Sequence, residues 1–230
     1  MRFLYMDYYY LVLVVPALLL ALIAQFKVKS TFSAYSNIRS QRGLTGEQAA
    51  RQVLSHYGIN DVNIEMVNGK LTDHYDPRDN VIRLSQDVYS STSIAAIGVA
   101  CHEAGHAAQH AQGYVPIKIR NAILPICNIG STLGFPLAIA GIIFSFEPLI
   151  SIGLLLYALV AVFQFATLPV EFNASSRAIK VIDEAGILND DEAKGAIKVL
   201  KSAAMTYVAA LTVSIANLLR LFMLANNRRD

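Results

Sequence analysis

Four long stretches without a charged residue decide what this chain can fold into. Tyr8–Phe26 runs 19 residues between Asp7 and Lys27, and Asn121–Phe146 runs 26 between Arg120 and Glu147. Pro148–Val170 runs 23 between Glu147 and Glu171, and Ser202–Leu219 runs 18 before Arg220 interrupts an apolar tail that continues to Ala225. A helix rises about 1.5 Å per residue, so roughly 20 apolar residues cross the hydrocarbon core of a bilayer. Three runs are long enough outright, and the fourth is long enough if Arg220 snorkels to the interface. Only 16% of the 230 residues are charged, against about a quarter in a soluble domain. The expected fold class is therefore a mainly α membrane protein with four transmembrane helices, at 8–26, 121–146, 148–170 and 202–225. Asp7 precedes the first run and Lys27, Lys29, Arg39 and Arg42 follow it, with no small-residue cleavage site, so it reads as a span and not as a cleaved signal peptide.

The remaining sequence, 27–120 and 171–201, is polar enough for a small α+β domain split around a membrane hairpin. Ser30–Arg42 reads as linker. Thr45 and Gln48 form a capping box for a helix whose apolar face is Ala49, Ala50, Val53, Leu54 and Tyr57, ended by Gly58. "VNIEMV" (62–67) and "NVIRLS" (80–85) alternate as half-buried strands do, and Asn-Gly and Asp-Pro turn signals lie between them. A small antiparallel sheet is expected, leaning on a helix. The next helix should start near Ser91–Ser93 and reach about Gln112, with Gly113 and Pro116 beyond it. The second and third spans should turn tightly at Glu147 and Pro148, and the third should run on into 171–186. Asn189 and Glu192 make a second capping box, opening a helix that continues into the fourth span.

The helix expected over residues 91–112 carries "VACHEAGHAAQH" (99–110), with three of the chain's five histidines. His102 and His106 stand four residues apart, about 6 Å along the axis and ~40° around it, so both imidazoles lean to one side. Two such histidines can share one Zn²⁺ at about 2.0–2.1 Å each. Glu103 overhangs the same place and can act as general base. In a chain of this composition the pattern arises by chance roughly 0.3% of the time. An open zinc site needs a third protein ligand and a position left for water. His110 lies about 12 Å along the axis from His102, too far to share its ion; it supports a ligand from behind, faces substrate or is solvated. Glu171 emerges from the third span where a helix begins, and a membrane hairpin would return it beside the histidine helix. Cys101 points ~100° away from His102. The two cysteines, one in this helix and one in an apolar run, make no disulfide framework.

Hydrophobic spans, "HEAGH", a membrane hairpin and "EFNAS" together resemble the integral-membrane gluzincin proteases of the CAAX prenyl protease and HtpX type. "GKLTDHYDPRDNVIRLS" with "SIAAIGVACHEAGHAAQ" is more closely similar to the YugP-like neutral zinc metallopeptidase family of bacterial membranes, over nearly the whole chain. The resemblance implies a gluzincin-like domain with one Zn²⁺ per chain, held by His102, His106 and Glu171, and Glu103 as the base. The larger pattern places an Asp four residues after the ligand Glu; here Ser175 stands there, which removes the charge from that support. His74, Tyr75 and Arg177 are three candidates for the donor to a developing oxyanion. By analogy with the fold, "NVIRLS" could offer a sheet edge to an extended peptide.

The function these readings support is a zinc-dependent endopeptidase of the bacterial inner membrane, its site facing the cytoplasm, acting on membrane or membrane-proximal proteins. Its partners are a protein or peptide substrate and the lipid bilayer, with a membrane partner protein or a second copy left open. The scattered basic residues and a net charge of +2 give no nucleic-acid footprint. A rival is a non-catalytic zinc-binding membrane protein with an assembly or regulatory role, which needs a closed four-ligand site. A protease with its site within the bilayer is the other rival; Ser90–Cys101 is uncharged over only 12 residues, too short for a span.

Overall fold

In a computed structural model, which describes residues 7–226, the chain divides into two compact units, each assembled from distant pieces of sequence. One takes its described residues from 7–25, 118–168 and 205–226, the other from 26–117 and 169–204. Arg228 and Arg229 lie outside the described residues.

The first unit is helical. After a π-helical turn at Tyr10–Val14 it holds the 15–25 part of α1 (Val15–Ser36), the 118–144 part of α5 (Val115–Phe144), the 147–168 part of α6 (Glu147–Glu184) and the 205–226 part of α7 (Asp190–Asn226), helices long and apolar enough to cross a membrane. Phe144, Leu155 and Phe165 stay largely exposed, as side chains bathed in hydrocarbon would be. α5 and α6 are joined through Ser145, whose φ of 54° makes the reversal, with the Phe146 amide donating to the Gly141 carbonyl. A Cβ at Gly134 would come within 2.8 Å of the Tyr157 nitrogen, and one at Gly153 would run into the Ala138 backbone. This is the close backbone approach that small residues permit between membrane helices, where packing replaces the hydrophobic effect as the driving force. Arg220 departs from expectation. It does not snorkel: it is buried, donates through Nε and Nη2 to Asp7 Oδ2 at 2.9 and 2.7 Å, and lies over the Tyr10 ring. A buried guanidinium needs a paired anion, and Asp7 supplies it.

The second unit surrounds α4 (Ile94–Ala111), whose Ala96, Ile97, Ala100, Cys101, Ala104 and Ala108 are fully buried. Ser93 caps it, accepting from the Ala96 amide at 3.2 Å, and Gly113 follows its end at φ 65°. α2 (Gly46–His56) packs Ala49, Ala50, Val53 and Leu54 into the same core, opened by the reciprocal Thr45–Gln48 capping box. β1 (Asn63–Val67), β2 (His74–Asp76) and β3 (Val81–Ser85) form a sheet in the order β1-β3-β2, followed by the short α3 (Gln86–Tyr89).

Three expectations are corrected in this unit. β1 and β3 pair in parallel, and the antiparallel partner of β3 is β2. The cause is that the intervening stretch holds two reversals: Gly69 (φ 116°) turns the chain out of β1, and the Pro77–Asn80 turn, with Asn80 at φ 55°, returns β2 onto β3. Two reversals restore the original direction. "NVIRLS" therefore forms the central strand, buried along most of its length and hydrogen-bonded on both sides, with no free edge. Ser30–Arg42 is also not all linker, since α1 continues to Ser36. Its last turns are held by packing that outweighs polar composition, with Phe32 and Tyr35 against the core. The Ser36 hydroxyl and the Asn37 amide donate back to the Phe32 and Ser33 carbonyls.

Candidate metal centre

Within the second unit, α4 meets the first turns of α6 beyond Pro169. The contact is made possible at Gly105, where a Cβ would lie 2.5 Å from the Ala174 carbonyl oxygen. With nothing but hydrogen there, the two backbones come close enough for one turn of α6 to face two turns of α4. Glu171 then stands opposite His102 and His106. Its Oε2 lies 3.3 Å from His102 Nε2 and 3.5 Å from His106 Nε2. One donor atom from each of the three lies within 4.8 Å of the others, the sole such group of at least three His, Cys, Asp or Glu among the described residues.

This donor set fits a zinc ion. Ligand atoms about 2.0–2.1 Å from a tetrahedral ion stand about 3.3–3.4 Å apart along each edge, close to the two separations seen. Glu171 is 4% exposed, and its buried Oε2 has no hydrogen bond of acceptable geometry. A buried carboxylate oxygen left without a partner is costly; a cation between it and the two imidazoles would satisfy it. The electrostatics agree. Burial alone would push the Glu171 carboxyl up, but the two imidazoles facing it outweigh burial and hold it well below the usual carboxylate range. Burial likewise opposes charge on His106, yet Glu171, Glu103 and Gln109 raise its basicity. The cluster thus favours positive charge at its centre.

Both imidazoles are supported from behind, at Nδ1. Ser175 Oγ is 3.1 Å from His102 Nδ1, which gives the serine four residues after Glu171 the place expected of it. His106 Nδ1 is 3.0 Å from Gln109 Oε1. Sequence reasoning passed over Gln109, although the i, i+3 spacing on a helix was available as a signal. Glu103, next to His102 and buried, accepts a hydrogen bond from the Tyr75 amide through Oε2 at 3.1 Å. No sequence signal reveals that contact, because it is made by backbone.

The remaining candidates are placed as follows. The Tyr75 hydroxyl donates to Asn80 Oδ1 at 2.8 Å and lies 3.4 Å from His110 Nδ1. Burial, with Asp61 and Asp76, pushes its phenol up, so it is a neutral donor. His110 is exposed at the end of α4 and outside the three-residue cluster. His74 is exposed, with Nδ1 2.7 Å from the Thr72 carbonyl. Arg177 donates to Asn173 Oδ1 and to Gln112 Oε1, and lies over the Tyr57 and Tyr114 rings. Cys101 is fully buried, and burial pushes its thiol up.

Four apolar helices long enough to span a bilayer and a His-His-Glu cluster, with its glutamate buried and its histidines half-buried, define a membrane protein with a candidate zinc centre. The model of the family described as "Putative neutral zinc metallopeptidase" matches residues 10–226. The chain is 46% identical over 221 residues to "Putative membrane protease YugP" of Bacillus subtilis (strain 168), covering 96% of this chain and 98% of that relative. The chain belongs to this zinc metallopeptidase family. No solved structure matches it.

Proposed function

We propose that the protein is a zinc-dependent endopeptidase of the bacterial inner membrane that hydrolyses peptide bonds in membrane or membrane-proximal proteins. The observation that carries this reading is the convergence of His102 Nε2, His106 Nε2 and Glu171 Oε2, with Glu103 on the same helix. Three protein ligands leave a tetrahedral ion one open position, the mark of catalytic rather than structural zinc. Bound there, zinc would supply Lewis acidity and lower the pKa of water. Glu103 would take the proton from the attacking water and later deliver it to the leaving amine. The Tyr75 amide donates to Glu103 Oε2, and so orients the carboxylate. Gln109 and Ser175 steady the ligand imidazoles. Tyr75, His74, Arg177 and His110 remain the candidates for contacts to substrate or oxyanion.

Segments 27–120 and 171–201 form the cytoplasmic catalytic part in this reading, with 8–26, 121–146, 148–170 and 202–225 as spans and both termini outside. Fifteen of the nineteen Lys and Arg residues lie in those two segments, which is the bias that holds loops in the cytoplasm. The test is cleavage of a membrane-tethered reporter by purified protein. Chelation should stop cleavage, and one zinc per chain should restore it. Cleavage indifferent to chelator would exclude a metallopeptidase.

A further inference from the structure

Gln109 is fully buried, one helical turn beyond His106, and both ends of its amide are engaged. Its Nε2 lies 2.7 Å from the Val170 carbonyl oxygen and 3.0 Å from Asn173 Oδ1. A backbone carbonyl only accepts, so the end of the amide that faces Val170 must be the NH₂. The Asn173 orientation is forced in the same way, because Arg177 Nε only donates and lies 2.7 Å from Asn173 Oδ1. Oε1 of Gln109 is thereby turned toward His106 Nδ1 at 3.0 Å, and that oxygen only accepts. His106 Nδ1 must then carry the proton. A neutral imidazole has one protonated nitrogen, so its lone pair sits on Nε2, the atom that faces Glu171 Oε2. His102 is supported differently: the Ser175 hydroxyl can donate or accept, and so imposes no tautomer.

We propose that Gln109 is a positioning residue that presets the metal-binding tautomer of His106, reading its orientation from the Val170 carbonyl and the Arg177–Asn173 pair; this rests on the metal-centre reading above. Oriented by groups that cannot reverse their roles, the amide removes the step in which His106 would otherwise have to move a proton before binding zinc. His102, with its adaptable serine, keeps that freedom.

The test compares wild type, Gln109→Met and Gln109→Glu in detergent. Both variants lose the donor to Val170 and Asn173; Gln109→Met also loses the acceptor for His106, while Gln109→Glu keeps it. Zinc affinity is read by competition with a chromophoric chelator, and the protonated ring nitrogen by two-bond ¹H–¹⁵N correlation spectra of ¹⁵N-histidine-labelled protein. Wild type should show His106 protonated at Nδ1 with zinc and, once the ring is neutral, without it. Gln109→Met should show both tautomers when metal-free and lose about 10–100-fold in zinc affinity. Gln109→Glu should keep the Nδ1 proton and most of the affinity. Should Gln109→Met fail to fold, the wild-type spectrum and Gln109→Glu decide. Protonation of wild-type His106 at Nε2, loss of the Nδ1 proton in Gln109→Glu, or wild-type zinc affinity in Gln109→Met would overturn the proposal alone. Wild-type protein that takes up no zinc would overturn the metal centre as well.

Discussion

Gly105→Ala separates the geometry of the site from the stability of the fold. A Cβ there would sit 2.5 Å from the Ala174 carbonyl oxygen, 3.2 Å from its carbonyl carbon and 3.3 Å from its Cα. Carbon and carbonyl oxygen in close helix contacts stay about 3.3 Å apart or more, so α4 and α6 must separate by roughly 0.8 Å. The obstacle is backbone and cannot rotate away. Overpacking of this kind costs about 1–3 kcal/mol, but replacing a helical glycine by alanine returns about 1 kcal/mol of propensity, which leaves a net loss of about 0–2 kcal/mol. The site fares worse. Metal–ligand distances tolerate only about ±0.2 Å, and the separation falls between His102 and His106 on one helix and Glu171 on the other. Zinc affinity should drop at least about tenfold, while the melting temperature falls by a few degrees. Gly98→Ala is the matched control on α4, because its Cβ would meet the Ala196 methyl at 3.3 Å and the Ala196 backbone no closer than 3.6 Å, which is ordinary contact. It should bind zinc normally. Chelator competition and thermal unfolding, measured on both variants, make the comparison. Wild-type zinc affinity in Gly105→Ala would refute the claim that this crossing sets the ligand geometry.

Two further outcomes are expected. Glu171→Ala should lose most of its zinc and all activity, whereas His110→Ala should keep zinc bound; elemental analysis of the two purified variants distinguishes them, and the reverse pattern would remove Glu171 from the site. For topology, Glu147→Cys should be labelled by an impermeant thiol reagent on intact cells and Asn60→Cys should not, against the low background of the buried Cys101 and Cys127; the opposite labelling would invert the orientation.

What was legible in the sequence was local or periodic. The Thr45–Gln48 and Asn189–Glu192 capping boxes form as their spacing requires, because each is closed within one helical turn. The limits of α4 follow from Ser93 and Gly113 in the same way. The spans were visible because uncharged length is a property of the chain itself. Path and partnership were not legible. The parallel pairing of β1 with β3 depends on a second reversal after β2, and β2, with three residues, is too short to announce itself. Arg220 reads as a snorkelling residue until Asp7, 213 positions away, is seen beside it. At the site, the i, i+4 histidines could be read directly, while the bond from the Tyr75 amide to Glu103 could not, because backbone groups are present at every position.

The most direct test of the central claim is the paired measurement of zinc content and reporter cleavage in Glu103→Gln. The amide keeps the size of the side chain and can still meet one hydrogen-bond donor, but it cannot accept the proton of the attacking water. Glu103 is not among the three converging donors, so zinc should remain at one per chain. Cleavage should fall by about 10²–10⁴-fold, the usual contribution of a general base. Full zinc with cleavage equal to that of wild type would contradict the account.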